Sequence, residues 1–463
     1  MNRIPFYICD AHDHLAEFKT TTHPILEFEY LDYEKKFELK RETEFFEEKA
    51  PYIFVQTSHC TVTFFLEKFR QEHRKYDYVE KVKDDLRNDR CILGITFGDS
   101  LSDAAFDHVK DIYEDLDKLA EFFESENLPQ KNIFVFGVDN LNKDELKNYK
   151  FNYVNFEYGL FYFAEKIMHS TSRYLLERGK VHKRQKHFLF YNCKPRLHRL
   201  VSFLELQKNN LLDKGFWSFQ TQTMFGTHPD WITKENWNER VPFFDLKSLE
   251  EKYGDFSELL DPPNKDEHSS FDSFTRKWYD DNGFDKGNPV AHTINHLPHY
   301  NTYFSLVTES AFYCPSSRMK RILNEGMTSS ERSDYFNSNP NFNPSAERRY
   351  HFFSEKIYKP FLLGHPILFL GQVGALDCLR SDGFETFPEF FDESYDQIED
   401  PLERIYKVTD EVKKLCRLTL EELHTKYYSI EDKLIHNMDH YHHLCMEQRR
   451  LPGKVLLKMY KRL

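Results

Sequence analysis

The chain has 463 residues, 40% of them apolar and 16% aromatic, with a formal charge of −13. The length exceeds one comfortable core and predicts two domains, and the apolar content excludes a disordered chain. The negative balance excludes a protein that grips nucleic acid through phosphate neutralisation alone, although a local basic groove on an acidic body stays open.

The first half alternates short apolar runs with charged amphipathic segments. Strands are expected at Ile4 to Cys9, Ile53 to Gln56, Cys91 to Phe97, Ile133 to Val138 and Tyr153 to Phe156, with helices over Phe64 to Val79 and Asp103 to Phe123. Such alternation implies a parallel sheet with crossover helices. The segment Glu177 to His187 has almost no apolar content and five Lys or Arg, so it reads as a linker or the end of a surface helix. We therefore expect one domain over residues 1–186.

A second α/β unit starts at the strand Phe188 to Asn192, followed by a helix whose Leu197, Leu200, Val201 and Leu204 share one buried face. Residues 214–290 are polar and read as an insertion or lid, after which strand character returns at Tyr303 to Thr308. In Phe352 to Gly371, Ser354 can cap a helix, Gly364 can close it, and Pro366 to Leu370 suits a central strand. Pro360 should shorten or kink that helix. Gly383 ends another short helix, and Pro401 stands at the first position of an amphipathic one running from Asp400 to Leu418. This second domain is expected over 187–420, with 421–463 forming helices that pack back on the body.

Three places carry residues of chemical interest. In NCKPRLHRL (Asn192 to Leu200), a strand turns into a helix with Arg196 and Arg199 in its first turns, a combination suited to a diphosphate. Pairing with a nearby acid is the structural alternative. Glu309 ends a strand on the same rim, where a carboxylate can accept from sugar hydroxyls or stand as an exposed acid. Glu355, Lys356 and Lys359 open the helix after Ser354, and otherwise are solvated surface charges. Open sheets bind ligands beyond the carboxyl ends of their strands, which is where all three fall.

This order resembles the donor-binding domain of the α-1,3-fucosyltransferase-like GT-B glycosyltransferases, including divergent virus- and phage-encoded members. Asn192 and Cys193 are similar to the family's Ser-Asn-Cys turn, with Arg199 or Arg196 as its arginine. Thr308, Glu309 and Ser310 resemble its Phe-Glu-Asn-Ser element without the Phe. Ser354, Glu355 and Lys356 resemble its Thr-Glu-Lys helix start, with Lys359 where the family often has Arg, and PFLLGHPILFLG is similar to the ending that follows. The likeness covers roughly residues 187 to 418 and fails before them.

It implies two Rossmann-like domains facing across a cleft and an inverting, metal-independent transfer of a sugar from a UDP- or GDP-linked donor. Arg199 and Lys356 would neutralise the diphosphate, Glu355 would hold ribose hydroxyls, and Glu309 would contact the donor sugar or help hold its nucleotide. No metal and no other cofactor is expected, and no Asp-x-Asp follows an apolar strand as in metal-dependent GT-A enzymes. The acceptor would be a glycan first, and a 5-hydroxymethylated DNA base second if the chain is viral.

A general base should come from the first domain. Asp10, His12, Asp13 and His14 follow its first strand, and Asp13 is the candidate, with Asp10 and His12 beside it. The same DAHDH cluster could instead begin a metal hydrolase or serve as surface polar residues, and a silent sugar-nucleotide- or glycan-binding scaffold is a further alternative. His436, His440 and His443 lie on one helix face and read as packing residues rather than metal ligands. The basic tail reads as a solvated helix before a membrane or nucleic-acid contact. The eight cysteines, at 9, 60, 91, 193, 314, 378, 416 and 445, are scattered and read as reduced thiols. With too short an N-terminal apolar run for a signal peptide and no membrane-spanning stretch, stable membrane insertion is not expected. A cytoplasmic location follows, the host's if the chain is viral.

Overall fold

A computed structural model describes residues 4–9, 37–39, 45–58, 62–70, 77–97, 112–137, 140–141, 143–155, 169–192, 196–219, 234, 237, 246–259, 296–309, 312 and 350–463. Its strands are β1 (Ile4–Cys9), β2 (Phe37–Leu39), β3 (Tyr52–Ser58), β4 (Cys91–Phe97), β5 (Ile133–Gly137), β6 (Asn140–Leu141), β7 (Asn152–Asn155), β8 (Lys186–Asn192), β9 (Gly215–Phe219), β10 (Thr302–Thr308), β11 (Tyr350–His351) and β12 (Ile367–Leu370). The chain divides into two compact units. Unit 1 comprises Met1–Phe161, Ser345–Phe353 and Leu444–Leu463; unit 2 comprises Tyr162–Pro344 and Ser354–His443.

Unit 1 carries a parallel sheet in the order β2-β1-β3-β4-β5-β7. Alternate side chains leave opposite faces of a strand, so each buried strand feeds two cores. Tyr52, Phe54, Leu93, Ile95 and Val135 pack with helices α1 (Val62–Phe69), α2 (Asp77–Arg87) and α3 (Ile112–Ser125). Ile53, Val55, Ile92, Phe134 and Phe136 point the other way and pack on Val455, Leu456 and Met459. The short α4 (Lys143–Leu146) precedes β7, and β6 pairs antiparallel with β11. The helix expected over Phe64 to Val79 is replaced by α1 and α2, with α1 ending at Phe69 before the polar run QEHRKYD.

Unit 2 carries a four-stranded parallel sheet in the order β12-β10-β8-β9. Its helices are α5 (His169–Gly179), α6 (Leu197–Lys208), α7 (Leu246–Tyr253), α8 (His296–Tyr300), α9 (Glu355–Leu362), α10 (Ala375–Ser381), α11 (Pro401–Cys416) and α12 (Leu420–Tyr428). Together the two units make a mixed α/β chain with two parallel sheets. The division falls at residues 161/162 rather than near 187, because α5 packs within unit 2: the Tyr428 hydroxyl donates to Leu176 O at 3.0 Å. The stretch read as an insertion from residue 214 opens with β9, a short edge strand on β8. α6 is buried from Leu197 to Leu206 and packs on α11, whose N-cap Asp400 accepts from Glu403 N.

α9 forms as its sequence dictates. Ser354 caps it, and Pro360 stands within it two residues before its end. Gly364 adopts φ +66°, which lets His365 N donate to Pro360 O at 2.8 Å and Gly364 N to Phe361 O at 3.2 Å, closing the helix and releasing β12. The last helix, α13 (Glu431–Tyr460), begins in unit 2 and ends in unit 1, so the basic tail buries an apolar stripe on the sheet of unit 1. Among the described residues, no helix is long and apolar enough to cross a membrane.

Candidate functional site

In unit 2 the strand order reverses between β8 and β10: from β8 the chain adds β9 on one side, then β10 and β12 on the other. The crevice outside the carboxyl ends of strands at such a reversal is where open α/β sheets take ligands. The strand ends there are joined by side chains. Thr308 Oγ1 donates to Asn192 Oδ1 at 2.5 Å, directly across the switch. Among the described residues, Asn192 Nδ2 is buried without a hydrogen-bond partner.

α6 supplies the next layer. Arg196 is its N-cap, in extended conformation and half-buried. Arg199 is 2% exposed and donates to Thr308 O at 3.3 Å, so its cation lies beneath the rim and braces β10. His198 donates from Nε2 to Glu309 O at 2.8 Å. Burial, followed by the charges of Arg199 and Arg196, holds its pKa well below the ordinary value, which keeps the ring neutral with the proton on Nε2. The ring stacks on Phe312 at 4.5 Å, and the Arg404 guanidinium covers Phe312 at 4.3 Å while donating to Phe312 O at 2.8 Å.

Glu309 joins this layer to α9. It is fully enclosed, and its own N–H donates to Leu370 O at 3.0 Å. The carboxylate accepts from Ser354 N at 2.8 Å and lies 2.8 and 2.9 Å from the Ser354 hydroxyl. Lys356 Nζ stands 3.0 Å from Ser354 Oγ and 3.8 Å from Glu309 Oε1. The strand-end acid is therefore not on the surface; through Ser354 it fixes the start of the helix that carries Glu355, Lys356 and Lys359. Lys359 is half-buried in α9.

Past β12, Asp396 accepts from Leu376 N at 3.2 Å at the start of α10. Burial raises its pKa to about 7. The sequence offered no signal for this acid, since it sits in a polar stretch far from any strand end. Arg404 and Phe312 are equally silent, each surrounded by residues of ordinary type, and His198, although it stands inside NCKPRLHRL, is passed over for the arginines beside it.

Asn192, Arg196, Arg199, Glu309 and Lys356 thus meet at one end of one sheet. The side chain of Glu355, Cys193 of the first motif, and Asp10, His12, Asp13 and His14 lie outside the described residues. The histidines of α13 face elsewhere: His436 and His440 donate from Nε2 to Gly383 O and Asp382 O at 2.9 and 2.6 Å, closing the end of α10. Arg196 and Lys356 keep part of their surface exposed and Arg199 is buried; guanidinium and ammonium groups are side chains that pair with phosphate oxygens. Compared with known proteins, the chain matches no family model, no curated protein and no solved structure.

Proposed function

We propose that unit 2 binds a nucleoside-diphosphate sugar at the β8/β10 switch and that the protein is a metal-independent, inverting glycosyltransferase of the GT-B kind. The observation that carries the reading is the Asn192–Thr308–Arg199 and Glu309–Ser354–Lys356 network. Motif residues far apart in the chain come together at the carboxyl ends of β8 and β10, the region where open α/β sheets take ligands. In this reading Arg196 and Lys356 meet the diphosphate, Arg199 supports them from below, and Lys359 adds positive charge along α9. Glu355, the first residue of α9, takes the ribose hydroxyls.

The reaction is a direct displacement. The acceptor oxygen forms a bond to the anomeric carbon as the bond to the phosphate oxygen breaks, and the nucleoside diphosphate leaves with the electron pair. Cations fixed at the diphosphate stabilise that developing charge. The acceptor proton passes to a base from unit 1, for which Asp13 is the candidate, with Asp10 and His12 beside it. The acceptor is a glycan hydroxyl, with a hydroxymethylated DNA base second. Thermal-shift screening against UDP- and GDP-sugars tests the reading: one family of donors should stabilise the protein, and Arg199→Ala and Glu355→Ala should each abolish the shift. Unchanged binding in both variants would remove the site.

A further inference from the structure

We propose that Glu309 is a built-in counter-anion for Lys356, holding the lysine on the protein's own carboxylate until a phosphorylated ligand draws it away. The idea rests on the nucleotide-sugar reading of this rim and adds how the rim sets its grip on the ligand.

The carboxylate has no freedom to turn outward. Glu309 is anchored on both sides through its backbone, its N–H to Leu370 O and its C=O from His198 Nε2, and the residue is completely buried. Its oxygens take the Ser354 N–H and hydroxyl, so a protein carboxylate already fills the position beside the first turn of α9 that an outside anion would otherwise occupy. A bound diphosphate must then be met by side chains, and Lys356 is the one tethered here.

The tether is loose by construction. Lys356 reaches Glu309 at 3.8 Å and sits at 3.0 Å on the intervening Ser354 hydroxyl, while its side chain keeps 32% of its surface exposed. An ammonium so placed is both positioned and reachable. A ligand with two or more negative charges offers it a stronger partner than one carboxylate, and Lys356 can turn to it without Glu309 or Ser354 moving. Glu309 goes on competing with the bound anion for the lysine. Glu309 in this way weakens the hold on the nucleoside diphosphate and speeds its departure after transfer.

The test is titration calorimetry of the full chain with UDP and GDP. Glu309→Gln keeps an acceptor for the Ser354 N–H and removes the charge; the bound nucleotide should tighten about three- to tenfold, the size expected for releasing the lysine from one partly exposed, solvent-screened ion pair. The gain should vanish when Lys356→Met is added. Ser354→Ala, which retains the backbone N–H but loses the bridging hydroxyl, should tighten binding about twofold and decides the matter if Glu309→Gln does not fold. Equal or weaker binding by Glu309→Gln, or a gain that survives Lys356→Met, overturns the proposal while leaving the nucleotide site standing. Failure of the unaltered protein to bind either nucleotide overturns the site and this role of Glu309 together.

Discussion

The two sheets share a strand order, with the second strand, then the first, then the third and fourth, yet they place their buried charge differently. In unit 1 it gathers at the amino ends of β3 and β4. There Asp85 accepts from the Tyr52 hydroxyl at 2.9 Å, from Lys81 at 2.7 Å and from Arg90, and Lys81 also donates to Glu48 O at 3.1 Å. Burial pushes the Tyr52 hydroxyl and the Cys91 thiol far up, so both stay protonated. At the described carboxyl ends of that sheet stands a neutral pair, Tyr78 donating to Gln56. Unit 2 has an amino-end lock of the same kind, built on Arg184, and in addition the Glu309–Lys356 network at its carboxyl ends. The amino-end locks turn their charges inward onto protein partners and serve the fold, although Arg184 Nε is buried without a hydrogen-bond partner among the described residues. The carboxyl-end network of unit 2 includes Lys356, which keeps a third of its surface in solvent, and that exposed cation is what the proposed reading gives to the ligand.

Removing the locks should therefore cost stability and leave ligand binding intact, starting with Arg184. Its guanidinium donates to His299 O at 2.7 Å, Tyr300 O at 3.2 Å, Thr302 O at 2.8 Å and the Tyr427 hydroxyl at 2.8 Å, and lies 4.3 Å over the Tyr427 ring. Arg184→Met strands those acceptors in the interior and should lower the unfolding free energy by about 4–5 kcal/mol, read by urea denaturation. A loss under about 1 kcal/mol would mean that the amino-end network is not a lock.

Asp396 sharpens the contrast through pH. Burial raises its pKa from 3.8 to about 7, so the folded protein binds this proton more tightly than the unfolded chain. Its contribution to stability is then greatest below about pH 4, falls as the pH rises towards 7, and is flat above; the total is up to about 4 kcal/mol. Asp396→Asn keeps an acceptor for Leu376 N. It should be more stable than the parent at pH 8 and lack this slope, and parallel pH profiles for the two proteins would contradict the assignment. In unit 1, Asp85→Ala should cost about 3 kcal/mol by leaving Tyr52, Lys81 and Arg90 without their shared acceptor.

These residues show where sequence reading stops. β1 and β4 fall where their apolar runs place them, because a strand buried on both faces announces itself locally. β9 does not: its GFWSF run opens a long polar stretch and is read with it, while pairing with β8 and the contact of Trp217 with Phe203 hold it as a strand. Arg184 lies in a run of basic residues that reads as solvated, and it is buried because Tyr427, 243 positions on, supplies a hydroxyl and a ring face. Glu309 could be placed at a strand end from sequence; that its carboxylate is enclosed depends on Ser354, 45 positions away. Local pattern shows which end of a strand a side chain stands at. Which partner meets it there is set by tertiary contact.

The smallest expected effect concerns α13, where the histidines either serve the fold or hold a metal. His440 donates to Asp382 O at 2.6 Å and lies against the Cα of Gly383, which has φ +93°; its neighbour His436 donates to Gly383 O. Both Nε2 atoms are thus spent on carbonyls left open at the end of α10. His440→Ala should cost about 1 kcal/mol, the worth of one such bond, and His440→Gln roughly half of that, because its amide can donate in the same direction. Burial lowers the His440 pKa, so acid below the ordinary value of 6.5 should destabilise the parent slightly, and the alanine variant less. Added zinc should leave the melting temperature of all three proteins unchanged. A rise in the parent that disappears in His440→Ala would show that the ring nitrogens leave their carbonyls for a metal, and would turn this corner of unit 2 from a closure of the fold into a second open network.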